Sequence, residues 1–211
     1  MESIIAPERL VIMPPQSDQE AGFLDCATES QIETRIREIT GTKLDDVWSQ
    51  VSQDDARSLP ACVVCADTIV VVRERGALTG DAAVLGKPPA EHWQSTVREW
   101  FQRYYASGTH DVWSCVGVQQ ASSRELFTVR TEVTMGPIDD WWIDWYVNTS
   151  EPIGKAGGYG IQGLAAHMIQ SVNGSLTNVI GLPMMELVSA LQPIGVLKNS
   201  DAASADPRGG A

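Results

Sequence analysis

Basic side chains are scarce in this 211-residue chain: 15 lysines and arginines stand against 27 aspartates and glutamates, giving a net charge of -12. That balance excludes a nonspecific nucleic-acid or membrane-surface binder, because either needs a net basic face. It leaves room for a small polyanion held by a few cations gathered in one cleft. Long apolar runs are missing as well. Nothing approaches the roughly 18 uninterrupted apolar residues of a membrane-spanning helix, and no basic-then-apolar leader opens the chain, so a cytoplasmic protein without a membrane partner is expected. Cysteine is limited to Cys26, Cys62, Cys65 and Cys115, with no disulfide-scaffold pattern, which fits a reducing compartment. Cys62 and Cys65 form a CxxC, yet a separation of three along a strand puts the thiols on opposite faces, so they read as buried thiols rather than a metal or redox pair. No internal repeat is visible. The length suits a single domain over residues 1–197 and a polar, disordered tail over 198–211.

What is present is a clear alternation of elements. Leu10 to Met13 reads as a brief strand, followed by an acidic turn containing Asp18 and Glu20. From Thr28 the pattern turns helical, with Ile32, Ile36, Ile39, Lys43 and Val47 on one face. A polar linker is expected from Ser49 to Ser58. A second helix is marked by Trp93, Val97, Trp100, Phe101 and Tyr104, an aromatic stripe read as core. Val112 to Val118 and Leu126 to Thr134 read as strands, the second alternating faces as an antiparallel partner does. Pro137 is expected to open a helix over Ile138 to Val147, with Trp141, Trp142 and Trp145 packed inward. A last helix runs from Pro183 to Leu191.

Two stretches stand apart. The run VVCADTIVVV, Val63 to Val72, has the composition of a strand buried on both faces, and Asp67 interrupts it. An ionised carboxylate there is costly without partners, so Asp67 needs a cation, a metal or a proton, or else backbone amides and Thr68 to satisfy it. Lys43, in the middle of the apolar face of the first helix, either snorkels outward or points into a site. The second stretch is GKAGGYGIQG, residues 154–163, with five glycines in ten residues. Such density calls for left-handed backbone or close approach to something large. It matches neither a Walker loop nor the dinucleotide fingerprint.

Taken in order, ADTIVVV, LGKP, GTHDVWSCVGV, GKAGGYGIQG and NVIGLP resemble the Maf family of nucleoside triphosphate pyrophosphatases, also called septum-formation inhibitors, over roughly residues 30–192. The resemblance implies an α/β fold like that of the inosine triphosphatases, an elongated mixed sheet with flanking helices and a nucleotide cleft between two lobes. It also implies metal-dependent hydrolysis between the α- and β-phosphates of a nucleoside triphosphate, giving a monophosphate and pyrophosphate. By position, Asp67 matches the family's catalytic carboxylate, and Thr68 a residue linked to substrate choice. Lys87 matches the GKP lysine, Lys155 the glycine-loop lysine, Gln162 the base-discriminating glutamine and Lys43 the inward helix lysine. Glu20 matches the acidic residue before that helix and would join Asp67 in holding Mg²⁺ or Mn²⁺, hard cations suited to carboxylate oxygen.

The chain also departs from the family pattern. The usual Ser-x-Ser-Pro-Arg-Arg segment is not found; Ala6-Pro7-Glu8-Arg9 is its nearest counterpart, and the alignment favoured here places Leu10 to Pro15 on the strand that follows. The family's first strand and helix are therefore expected to be missing. Gly154 replaces the aspartate usual before the loop lysine, and residues 73–84 are longer than the family's turn. The expected function is hydrolysis of a canonical, pyrimidine or modified nucleotide. The alternative is a catalytically impaired nucleotide-binding or division-regulating protein of the same fold. Whether two copies pair as a homodimer is left open.

Overall fold

The first regular helix owes its start to its cap. Thr28 Oγ1 accepts the Gln31 amide while the Gln31 side chain accepts the Thr28 amide, a reciprocal capping box that opens α1, Glu29–Ser52. The computed structural model describes residues 1, 4–16, 22–53, 59–73 and 81–198. Past α1 the chain forms β1 (Val63–Arg73), β2 (Ala82–Leu85), α2 (Trp93–Trp100), β3 (Thr109–Gln119) and β4 (Arg124–Met135). It continues through α3 (Asp140–Val147), β5 (Ile169–Asn173), α4 (Leu176–Ile180) and α5 (Met184–Leu191). The protein is thus mixed α/β, with one five-stranded sheet in the order β2-β1-β3-β4-β5 flanked by helices.

Every pairing in that sheet is antiparallel, where a mixed sheet was expected. The reason lies in the connections. The chain passes from β2 through α2 across β1, so β3 lies parallel to β2 with β1 between them and antiparallel to both. β3 and β4 form a long hairpin in register from Thr109↔Thr134 to Gln119↔Arg124.

Strand alternation divides the core by face. On one face α1 covers β1 and β3: Ile32 and Ile36 pack with Ile69, Val71, Trp113 and Cys115, and Leu44 and Val47 pack with Val63 and Cys65. Each such side chain, fully buried, contributes roughly 1.5–3 kcal/mol. On the other face Val70, Val72 and Val112 meet Val97, Phe101 and Tyr105 from the α2 region and Tyr146 from α3. Farther along that face, Val116 and Val118 meet Ile5, Leu187 and Leu191. α4 is pinned over the sheet by buried Asn178, whose amide donates to the carbonyls of Val112 (2.9 Å) and Val129 (3.3 Å).

Several local expectations change. Leu10 to Met13 forms no strand; Val11 and Ile12 are exposed. α1 continues through Ser52 instead of giving way to a linker at Ser49, because Trp48 and Val51 extend its apolar contacts. Pro137 does not open α3; Asp139 caps it by accepting the Trp142 amide at 3.0 Å. Trp141 is 62% exposed rather than packed inward, since α3 turns Ile143, Tyr146 and Val147 to the core and Trp141 lies on another face, stacked on Trp145. After α2 the helix widens into a π-helical turn, Phe101–Tyr105, which brings Tyr105 into the core. β1 is buried at Val63 and over residues 69–72, and Val64 to Thr68 are half-buried. Its ladder with β2 begins at Val70, so the edge before that residue has no strand partner among the described residues. Cys62 and Cys65 fall in separate clusters on opposite faces, and all four cysteines are free. No described helix is long and apolar enough to cross a membrane. Residues 199–211 lie outside the described part, while the Lys198 amide donates to the Ile4 carbonyl at 2.8 Å.

Candidate functional site

The partner that Asp67 requires is supplied by α1. The Lys43 ammonium contacts Asp67 Oδ1 directly, with the two side chains only 19% and 14% exposed. One helical turn earlier, the Thr40 hydroxyl shares its proton between the Ile36 carbonyl (2.9 Å) and Asp67 Oδ2 (3.3 Å). Lys43 therefore points inward, the second of the two options its place on the apolar face allowed. Thr68 takes no part in satisfying Asp67. Two positions upstream on the same face, burial and the Asp67 charge push the Cys65 thiol up to about 11, so it stays protonated.

Thr68 faces the opposite side of β1, as the strand period requires. Its hydroxyl meets Ser114 Oγ at 2.7 Å, its register partner on β3, and donates to the Gly181 carbonyl at 3.1 Å. Here a cleft of about 340 Å³ opens, lined by Thr68, Lys87, Lys155, Tyr159, Gln162 and Ile180, among others. Four of the expected site residues thus line one cavity. Asp67 and Lys43 do not line it; they sit across β1, one residue away along the strand. A second groove of about 630 Å³ runs along the N-terminal half of β1, with a mainly apolar lining that includes Val64, Ala66, Leu182 and the side chain of Arg9.

The glycine-rich segment forms the cleft wall in the manner its composition requires. Gly154, Gly157 and Gly158 are left-handed, with φ of +76°, +67° and +69°. At Gly157 a Cβ would also meet Tyr105 Oη and Val70 Cγ2 at 2.6 Å. Tyr105 donates to the Gly157 carbonyl at 2.8 Å, and the Gly157 amide donates to the Gly86 carbonyl at 2.9 Å. That last bond ties the segment to the stretch bearing Lys87. Tyr159 and His110 share a 2.7 Å hydrogen bond beneath the segment, and burial pushes the His110 imidazole down to about 3 while raising both tyrosines. Lys155 donates to the Glu151 carbonyl, and Gln162 is exposed at the rim.

Glu20 lies outside the described residues, so the metal pair expected of Glu20 and Asp67 is not described here. Among the described residues no group of three or more His, Cys, Asp or Glu side chains could by itself cage a metal. The carboxylate of Asp67 is a hard oxygen donor of the kind Mg²⁺ or Mn²⁺ takes together with waters and substrate phosphates. Sequence reasoning passed over Thr40, Ser114, Glu151 and Asn178. Each acts through a partner distant in the chain, and no local pattern marks it.

The model of the Maf-like protein family matches residues 3–194 of this chain. A dTTP/UTP pyrophosphatase of Anaeromyxobacter dehalogenans strain 2CP-C is 39% identical over 170 residues, covering 77% of this chain and 80% of the relative. One from Halalkalibacterium halodurans is 33% identical over 156 residues, or 72% and 76%. One from Albidiferax ferrireducens is 29% identical over 187 residues, or 87% and 86%.

Proposed function

This chain belongs to the Maf-like protein family, and from that premise we propose that it is a nucleoside triphosphate pyrophosphatase acting on a pyrimidine nucleotide such as dTTP or UTP. The observation that carries the reading is the convergence of Thr68, Lys87, Lys155 and Gln162 on one cleft, with Asp67 and Lys43 one residue away around the edge of β1 that has no strand partner among the described residues. At about 340 Å³ the cleft is near the lower end of small-molecule sites, roughly 300–1,000 Å³, which suits the nucleoside end of the substrate. The phosphates then pass the edge of β1 towards Asp67. No ladder partner blocks that edge among the described residues.

In this reading Gln162 reads the base edge with its paired donor and acceptor. Lys87 and Lys155 neutralise phosphate charge, and more strongly as charge shifts to the leaving pyrophosphate. Asp67 orients the attacking water and accepts its proton. The water oxygen bonds to the α-phosphorus, and the α–β bridging oxygen departs with the pyrophosphate. Lys43 pairs with Asp67 before substrate arrives and turns to a phosphate afterwards. Asp67, with Glu20, would hold the divalent metal, which supplies charge neutralisation and a more acidic water. The two-lobed inosine-triphosphatase-like arrangement, the single domain over 1–197 and a cytoplasmic setting belong to the same proposal. Four free thiols support the last of these. The net charge of -12 supports a free nucleotide rather than a nucleic-acid polymer as partner.

The test is pyrophosphate release from a panel of nucleoside triphosphates with Mg²⁺ or Mn²⁺, comparing the chain with Asp67→Asn. Pyrimidine-selective turnover that vanishes in the variant supports the proposal. A folded wild-type protein that binds nucleotides and turns over none would favour the impaired, division-regulating alternative.

A further inference from the structure

Glu151 has no part in the reading above, yet it touches α3, the chain just past Gln162, and the cleft residue Lys155. The chain turns into it through Ser150, a non-glycine residue at φ +60°. Its Oε1 accepts the Tyr146 hydroxyl of α3 at 3.2 Å, and its Oε2 accepts the Leu164 amide at 2.7 Å. The Leu164 amide lies two residues past Gln162. The same residue's main-chain carbonyl accepts the Lys155 ammonium. Space is reserved for the carboxylate, since a Cβ at Gly163 would land on it.

We propose that the Glu151 carboxylate is a positioning group that fixes the segment bearing Gln162 on the cleft wall, and so sets base discrimination and substrate affinity without acting in the chemical step. The proposal rests on the reading of Gln162 as the base reader. The physical case is that the segment holding Gln162 is rich in glycine and loses much conformational freedom on ordering. A charge-assisted bond to the amide just beyond it confines that freedom. Glutamine at position 151 keeps an acceptor for the Leu164 amide, whereas alanine does not.

The experiment compares Glu151→Ala, Glu151→Gln and Gly163→Ala in steady-state kinetics on UTP and a disfavoured purine triphosphate, with amide hydrogen exchange at Leu164 as a second readout. For Glu151→Ala the expected result is a rise in KM for UTP of about tenfold or more, a fall of similar size in UTP preference and kcat within about threefold. Leu164 exchange should quicken. Glu151→Gln should restore both readouts. Gly163→Ala, which displaces the carboxylate while leaving it in the chain, should reproduce the alanine result and stands in if Glu151→Ala does not fold. A loss confined to kcat, an unchanged KM in Gly163→Ala, or Leu164 exchange unmoved in every variant would each overturn the proposal. Gln162→Ala separates the two levels. If it leaves UTP preference intact, the base-reading role of Gln162 fails, and the KM change with Leu164 exchange decides the role of Glu151 alone.

Discussion

Replacing Lys43 by methionine probes the ion pair that ties α1 to β1 at Asp67. Lys43→Met keeps an apolar stem on the inner face of α1 and removes the charge, leaving the Asp67 carboxylate with the Thr40 hydroxyl, whose proton is shared with Ile36. Deleting one partner of a fully buried ion pair costs about 3–5 kcal/mol, because the other charge stays buried and uncompensated. Asp67 retains 14% exposure, which lowers the expected loss to about 2–3 kcal/mol. Asp67→Asn should cost less, about 1 kcal/mol, since the stranded ammonium sits on a flexible stem that can reach water. The double variant should recover about 1–2 kcal/mol of the summed losses. Urea unfolding at pH 7 measures all three. In a chain of this size 1 kcal/mol corresponds to about 2–4 °C in Tm, so Lys43→Met should melt roughly 4–12 °C lower. Equal losses for the two single variants, or additivity within about 0.5 kcal/mol, would falsify the buried-pair reasoning and reduce the contact to a surface ion pair.

Three further outcomes follow from groups around the cleft. His110 is buried, and its imidazole is pushed from an unfolded value near 6.5 down to about 3. Between those values the unfolded chain binds the extra proton, so this contribution is complete above pH 6.5 and is lost as pH falls towards 3, by up to about 1.4 kcal/mol per unit. His110→Phe should flatten that part of the acid-unfolding curve; an unchanged slope would show that other groups govern it. Gly157→Ala combines a left-handed φ with a Cβ placed 2.6 Å from Tyr105 Oη and Val70 Cγ2, so denaturant unfolding should report a loss of about 2–4 kcal/mol. A loss below about 1 kcal/mol would contradict the close packing there. Thr68→Val strips the hydroxyl from buried Ser114 and the Gly181 carbonyl and should cost about 1–3 kcal/mol, whereas Thr68→Ser should fall within about 1 kcal/mol of wild type. Similar losses for Val and Ser would assign the effect to packing instead.

Much of this was legible in the sequence, for identifiable reasons. α1, α2 and the β1, β3 and β4 strands announced themselves through period and composition, because each buries one face against a neighbour. Asp67 and Lys43 were legible as anomalies, a charge in an apolar strand and a charge on an apolar helix face, and the two turn out to resolve each other. The glycine-rich segment was legible as a demand for unusual backbone, which three left-handed glycines meet. Element boundaries were less legible. Pro137 is a plausible helix opener until Asp139 supplies the side-chain cap, and a polar stretch after Val47 reads as linker although Trp48 and Val51 still pack. Thr40, Ser114, Glu151 and Asn178 were not legible at all. Each has a partner 13 or more residues away along the chain, Asp67, Thr68, Leu164 and Val112 in turn, which the register of the sheet, the seating of the helices and the glycine-rich wall bring to it.

The strand period carries one consequence that matching ADTIVVV as a single word conceals. Adjacent residues of a strand face opposite ways, so Asp67 and Thr68 cannot both line one cavity. A substrate served by both must reach around the edge of β1. Such an arrangement requires that edge to be open near residues 67 and 68, and among the described residues the β2 ladder begins only at Val70. The same requirement explains how so acidic a chain can hold a triphosphate. Interactions between exposed charges fade beyond a Debye length of about 8 Å at physiological salt, so the dispersed acidic surface matters less than the cations at the site. Of four lysines, Lys87 and Lys155 line the cleft and Lys43 stands across the strand beside Asp67. The scarcity of lysine is therefore a matter of placement: under the proposed function Lys87, Lys155 and Lys43 stand along the path from base to phosphate, and that path crosses the sheet at the edge of β1 that has no strand partner before Val70 among the described residues.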